Sequence, residues 1–166
     1  NELFPFMQKN YRVNDFRLLI GHSLGGYFAL KTLYNHPKTF NGYVAHDPSI
    51  WFNDKELLNL YQNVENHSFE NRFLMITQVG ESQNADHLRD HYQSIKKVDE
   101  RLKSSKNKSL NYHYKQYVDE EHGSVPMIGS IDYLRWQFDG YRVNIKEIPN
   151  QPNLVKESFE TISKKL

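Results

Sequence analysis

Apolar runs rich in strand-forming residues alternate with segments of helical periodicity along most of the chain. The predicted strands cover residues 18–20, 42–47, 72–79 and 111–118. The predicted helices cover residues 27–34, 54–61 (with Asp54 as the capping residue), 86–102, 125–138 and 154–166. Strands that alternate with helices pair in parallel through crossover connections, so the pattern predicts an α/β fold with a parallel sheet.

The first predicted strand leads directly into a Gly-x-Ser-x-Gly motif, in which Ser23 stands between Gly21 and Gly25. A strand, a sharp turn and a helix in this order form a nucleophile elbow, which holds its serine in a strained conformation. We expect glycine on both sides because a Cβ there would collide with the neighbouring strand or helix. The motif therefore predicts Ser23 as a nucleophile and the backbone N–H of Leu24 as an oxyanion donor.

A serine nucleophile needs a general base, and the base needs an acid that orients it. In α/β hydrolases the chain order is serine, acid, histidine, at the carboxyl ends of successive strands. His122 follows the last predicted strand in a polar loop and fits the base, while Glu81, just beyond the strand 72–79, is the first choice for the acid. Asp86, Asp47 and a dyad without an acid are left open, since either aspartate can instead be a capping or turn residue.

The elbow comes early in this chain. In the α/β-hydrolase fold it follows the fifth strand, so four strands should precede it, and the chain begins without a methionine. We therefore expect the C-terminal portion of an α/β hydrolase, with the hydrolase domain over residues 1–140 and a C-terminal extension over 141–166. The second oxyanion donor would come from a loop that precedes this chain, and a fragment without it should be a poor enzyme.

Composition excludes several other kinds of chemistry. The 166 residues suffice for one domain with a core, and the net charge of +1 does not indicate nucleic acid or an anionic membrane as a partner. The chain contains no apolar run long enough to span a membrane and no cysteine. His87 and His91 lie four residues apart, but no glutamate follows His87, so a solvated helix face is favoured over zinc. The expected chemistry needs neither a metal nor a cofactor; the compartment and the oligomeric state are left open.

Three blocks of sequence carry a resemblance to a known family: residues 21–30 (GHSLGGYFAL), 47–52 (DPSIWF) and 121–126 (EHGSVP). In order and spacing they resemble the putative-esterase family of α/β hydrolases, which includes esterase D, enterobactin-type siderophore esterases and mycolyltransferases. The resemblance extends over residues 3–138 and is strongest to siderophore-esterase-like hydrolases of bacteria. It implies Ser23 as nucleophile, His122 as base and, less firmly, Glu81 as acid. It also places Trp51 beside the pocket, although a tryptophan at this position can equally belong to the core.

The function expected from these residues is serine-dependent hydrolysis of carboxylic esters through an acyl-enzyme intermediate. The substrate would be a small-molecule ester, siderophore-like or with another acyl group, and the sequence specifies neither its acyl nor its alcohol part. Two alternatives are left open. One is an acyltransferase that uses the same residues to pass the acyl group to an alcohol or sugar. The other is a binding domain that retains the elbow without activity.

Overall fold

A parallel sheet forms the centre of the molecule. The structure, a computed structural model, describes residues 2–80 and 89–163. Within these residues it contains the strands β1 (Leu18–His22), β2 (Gly42–His46), β3 (Arg72–Val79) and β4 (Leu110–Tyr117). The strands lie side by side in chain order, and each neighbouring pair is parallel. The predicted α/β class and the four predicted strands are confirmed.

A helix follows each strand, because parallel strands need a crossover connection. The helices are α1 (Leu3–Asn10), α2 (Leu24–Asn35), α3 (Phe52–Leu60), α4 (Arg89–Ser104), α5 (Val125–Gln137) and α6 (Leu154–Ser163). Short 3-10 turns at Pro37–Thr39 and Tyr61–Asn66 follow α2 and α3. None of the helices in the described part of the chain is long and apolar enough to cross a membrane.

The start of α3 differs from the prediction. Asp54 was expected to cap this helix, but the helix begins at Phe52 and Asp54 lies inside it. Asn53, Asp54 and Lys55 all have positive φ, between 51° and 59°. A right-handed turn therefore does not begin directly after Asp54, and its carboxylate is not in the position of a cap.

The helices cover both faces of the sheet. Helices α2, α3 and α4 pack on one face, around a core that includes Leu30 and Tyr43. Helix α5 packs on the other face, where Tyr133 lies against Val44 and Met75. Neighbouring residues of β2 thus point to opposite faces, and β2 is buried at every position. The result is a three-layer α/β/α arrangement.

The carboxyl ends of the four strands meet at one edge of the sheet. Ser23 follows β1, Asp47 follows β2 and Gly80 follows β3, while His122 lies in the loop between β4 and α5. Ligands of open α/β sheets bind at this edge.

Candidate active site

The turn between β1 and α2 has the geometry of a nucleophile elbow. Ser23 has φ 57° and ψ −117°, a conformation that a residue with a Cβ rarely adopts. An ideal Cβ on Gly21 would lie 1.9 Å from the carbonyl oxygen of Gly25, so Gly21 has to be glycine. At Gly25 the expectation is wrong, because nothing described lies within 4 Å of an added Cβ. The second glycine that the packing requires is Gly26, where a Cβ would lie 2.9 Å from Pro48 Cβ.

Backbone hydrogen bonds fix the elbow to the loop after β2. The N–H of Ser23 donates to the carbonyl oxygen of His46 (3.0 Å), and the carbonyl oxygen of Ser23 accepts from the N–H groups of Ser49 and Tyr27 (3.0 Å each). The hydroxyl of Ser23 lies 3.1 Å from that of Ser49. Leu24 is the first residue of α2, so its N–H has no partner within the helix and can bind an anion beside the serine.

His122 contacts a buried carboxylate. Its Nδ1 lies 2.6 Å from Oδ2 of Asp47, whose side chain is 1% exposed, whereas the side chain of His122 is 49% exposed. Nδ1–H donates to the carboxylate, and this tautomer leaves Nε2 free to accept a proton. The structure thus places against the predicted base the third of the three carboxylates considered.

The Asp47 carboxylate has two further donors. His91 Nε2 lies 3.0 Å from Oδ2, and the backbone N–H of Val79 donates to Oδ1 (3.3 Å). Burial alone would raise the pKa of Asp47, but the hydrogen bonds from His91 and His122 outweigh it and hold that pKa below its usual value. Asp47 is therefore an anion at neutral pH, a state that can stabilise a positive charge on His122.

His91 was predicted on a solvated helix face, and this expectation is wrong. Its side chain is 9% exposed and points at Asp47. The spacing of His91 with Ile95, Val98 and Leu102, all buried on one face of α4, is the signal that would have placed it inward.

The other two candidates for the acid, Glu81 and Asp86, lie outside the described residues, and so does His87. Of the sequence-predicted site residues, the structure brings Ser23, Leu24 and His122 to the same edge of the sheet.

A second histidine packs against His122. The rings of His22 and His122 lie 4.3 Å apart between centroids, and Nε2 of His22 is buried with no hydrogen-bond partner among the described residues. Burial, and after it the neighbouring His122, lower the pKa of His22. A neutral ring in this position packs against His122 without repelling a positive charge on it.

Ser23, Asp47 and His122 open onto one cavity of about 670 Å³. This volume is within the range of small-molecule sites. Trp51 lines the cavity and is 46% exposed, so it belongs to the pocket and not to the core. Three carboxylate residues also line it, namely Asp90, Glu120 and Glu121.

Known proteins resemble this chain over most of its length. The family model described as "Putative esterase" matches residues 1–139. The chain is 27% identical over 127 residues to the siderophore enterobactin esterase of Emericella nidulans, a match that covers 64% of this chain and 42% of that protein. It is 32% identical over 97 residues to the siderophore triacetylfusarinine C esterase of Aspergillus fumigatus, which covers 54% of this chain and 33% of that protein.

A solved structure also resembles this chain over most of its length. An IroE-like serine hydrolase from Shewanella oneidensis superposes with a TM-score of 0.70 and 26% identity, over 95% of this chain and 52% of that one. The chain thus spans about half the length, or less, of the relatives it matches.

Proposed function

The chain belongs to the putative-esterase family of α/β hydrolases, and from this premise we propose that it carries the catalytic centre of a serine-dependent carboxylic ester hydrolase. Its sheet and helices form the α/β-hydrolase fold that the elbow predicts. One observation supports the activity most directly. The strained Ser23 shares a cavity with His122, whose Nδ1 lies 2.6 Å from a buried carboxylate.

In this proposal Ser23 is the nucleophile, His122 the general base and Asp47 the acid. Asp47 takes the role assigned to Glu81 from the sequence, because Asp47 contacts Nδ1 and is buried and ionised. An acid after the second strand of this sheet orients the same imidazole nitrogen that an acid after the third strand would orient.

The reaction follows from these positions. Nε2 of His122 accepts the proton of the Ser23 hydroxyl as Oγ bonds to the ester carbonyl carbon. The carbonyl oxygen takes up the negative charge and is stabilised by the N–H of Leu24 and by the N-terminus of α2. The C–O bond to the alcohol then breaks, and the alcohol leaves with the proton from His122. Water then attacks the acyl-enzyme by the same steps, which releases the carboxylic acid product and restores the Ser23 hydroxyl.

The substrate class is proposed from the relatives. Two of them are named as siderophore esterases, and we extend that class of small-molecule ester to this chain. The cavity suits a ligand of that kind, because it is large enough for a small acyl group and carries an exposed aromatic ring, Trp51, at its wall.

The test is covalent labelling of the serine. A fluorophosphonate bonds through phosphorus to an activated Oγ and loses fluoride, so the intact mass of the protein increases by one adduct. We expect one adduct on the protein and on Ser68→Ala, an exposed serine near the opposite edge of the sheet, and none on Ser23→Ala. A folded protein without an adduct would overturn the proposal in favour of a binding domain. If the protein, assayed before labelling, transfers acyl groups from an ester to an added alcohol faster than to water, it is an acyltransferase.

A further inference from the structure

Two histidines share one carboxylate oxygen. Nδ1 of His122 and Nε2 of His91 lie 2.6 Å and 3.0 Å from Oδ2 of Asp47. The ligand atoms of these three side chains all lie within 4.8 Å of one another. A catalytic acid needs only one histidine partner, so the second one is not explained by the ester hydrolysis.

Two imidazole nitrogens and a carboxylate oxygen form a donor set that Zn²⁺ prefers, with metal–ligand bonds of about 2.0–2.2 Å. Ligands at such distances from a tetrahedral ion lie roughly 3.3 Å apart. The distances from Asp47 Oδ2 to the two imidazole nitrogens therefore have to increase by less than about 1 Å each to admit the ion. We propose that Asp47, His91 and His122 form a Zn²⁺-binding site, with the fourth coordination position directed into the cavity.

The surroundings support a cation here. The second oxygen of Asp47 accepts the backbone N–H of Val79, which fixes the carboxylate as an outer-sphere hydrogen bond does in metal sites. Among the described residues that line the cavity, the charged groups besides Asp47 and the histidines are the carboxylates Asp90, Glu120 and Glu121. Only part of this charge is compensated by the bridge from Lys55 to Asp90, at 2.9 Å. The field in the cavity thus attracts a divalent cation.

Zn²⁺ at this site would switch off the proposed activity, and this consequence rests on the proposed function. A metal ion on Nδ1 of His122 requires the lone pair of that nitrogen, so the ring proton has to move to Nε2. A neutral ring protonated at Nε2 cannot accept the proton of Ser23. The ion also replaces the contact between His122 and Asp47. The metal site and the active serine therefore exclude each other.

Binding is measured first without reference to activity. Isothermal titration with Zn²⁺, and visible absorption of Co²⁺ as a tetrahedral probe, should give one ion for each chain. His91→Gln keeps an amide donor for Asp47 and removes a ligand, and we expect at least about 10–100-fold weaker binding, the loss seen when even an outer-sphere partner is removed. His36→Gln, the same change at an exposed histidine after α2, should leave the affinity unchanged.

Esterase assays follow on the same proteins. Zn²⁺ should inhibit the protein and His36→Gln at the concentration that saturates the titration, EDTA should reverse the inhibition, and His91→Gln should resist it relative to its own metal-free rate. No binding by the protein, or equal binding by His91→Gln, overturns the site. If His91→Gln fails to fold, His122→Gln at the half-exposed ligand provides the same comparison of affinity. Metal binding in a protein that takes up no fluorophosphonate would refute the ester hydrolase and leave the metal site intact.

Discussion

Through its side chain, Asp47 contacts three other segments of the chain. It is almost fully buried, it has φ 40°, and its two oxygens accept from His122, His91 and the N–H of Val79. A buried carboxylate with three donors keeps its charge and its orientation. Changes at this one position should therefore affect the reactivity of Ser23, which follows another strand.

Asp47→Asn should reduce turnover about 10⁴-fold, because an amide can hold the imidazole in the wrong tautomer while the geometry stays intact. The measurement is kcat on an activated ester, with the fold checked by circular dichroism. Glu81→Gln and Asp86→Asn are the matched controls and should keep most of the activity. A large loss in Glu81→Gln together with an active Asp47→Asn would return the acid to the position predicted from the sequence.

A second buried residue predicts how stability depends on pH. His46 is fully buried between Thr77 Oγ1 (2.9 Å) and Ser130 Oγ (3.0 Å), and burial lowers its pKa to about 4. Its contribution to stability is complete above the unfolded pKa of about 6.5 and is lost as the pH falls towards 4.

We expect the free energy of unfolding to fall between pH 7 and pH 4.5, with about 2–3 kcal/mol of the fall due to His46. Urea unfolding at both pH values measures this fall. Glutamine does not titrate in this range. The free energy of unfolding of His46→Gln should therefore fall by about 2–3 kcal/mol less than that of the unchanged protein, even if the variant is less stable at pH 7. An equal fall in both proteins would contradict the assignment.

At the same scale, the sequence predicted some site residues and not others. Ser23 and His122 could be proposed from the sequence because the elbow motif and the chain order point to them. Asp47 before Pro48 has the same sequence signature as an ordinary turn. Its proposed role depends on a contact with His122, 75 positions later, and the local sequence does not reveal this contact.

The elbow is the element on which the site depends, and its two motif glycines are not equivalent. Gly21 is in backbone contact with Gly25, so no side-chain movement can relieve a clash there. Gly25 itself lies in the first turn of α2 with open space around its Cβ position. Packing therefore requires glycine at position 21 of the motif, whereas the described structure leaves room for a side chain at position 25.

Gly21→Ala should lose fluorophosphonate labelling and unfold at a lower urea concentration, because an added Cβ would lie 1.9 Å from a carbonyl oxygen. Gly25→Ala should retain labelling and be at least as stable, since alanine is favoured over glycine in helices by about 0.5–1 kcal/mol. Labelling and urea midpoints of the two variants test the contrast. A destabilised Gly25→Ala would show that another segment of the protein occupies the space beside it.

The strands were the most predictable elements, because short apolar runs between breakers define them. Helix α1 was missed: it has eight residues, includes Pro5 and buries none of its side chains, so no periodic apolar face identifies it. The left-handed turn inside α3 was missed as well, since Asn53 and Asp54 fit an ordinary capped start equally well.

For the whole molecule, we propose the boundary predicted from the sequence, a hydrolase domain over residues 1–140 and an extension over 141–166. The family model ends at residue 139, which supports it. Helix α6 buries one of its described residues, Ile162, beside a cavity of about 850 Å³ lined in part by Phe16 and Phe138.

A protein that ends at Gly140 should therefore fold and react with fluorophosphonate. It should lose about 1.5–3 kcal/mol of stability, the value of burying one large aliphatic side chain. Intact mass after labelling and the urea midpoint measure the two effects. Loss of labelling would mean that residues 141–166 belong to the hydrolase domain.

The backbone bonds that tie the elbow to the loop after β2 also bear on the order of folding. The proposed nucleophile and acid, Ser23 and Asp47, both belong to one strand–helix–strand unit, and Ser23 and Ser49 are 26 positions apart. The proposed base, His122, lies 75 positions beyond Asp47. Since closing a longer loop costs more entropy and long-range contacts form later, we expect the serine to be placed early and to become reactive last. A partly folded chain would then contain a formed elbow whose serine is not yet reactive.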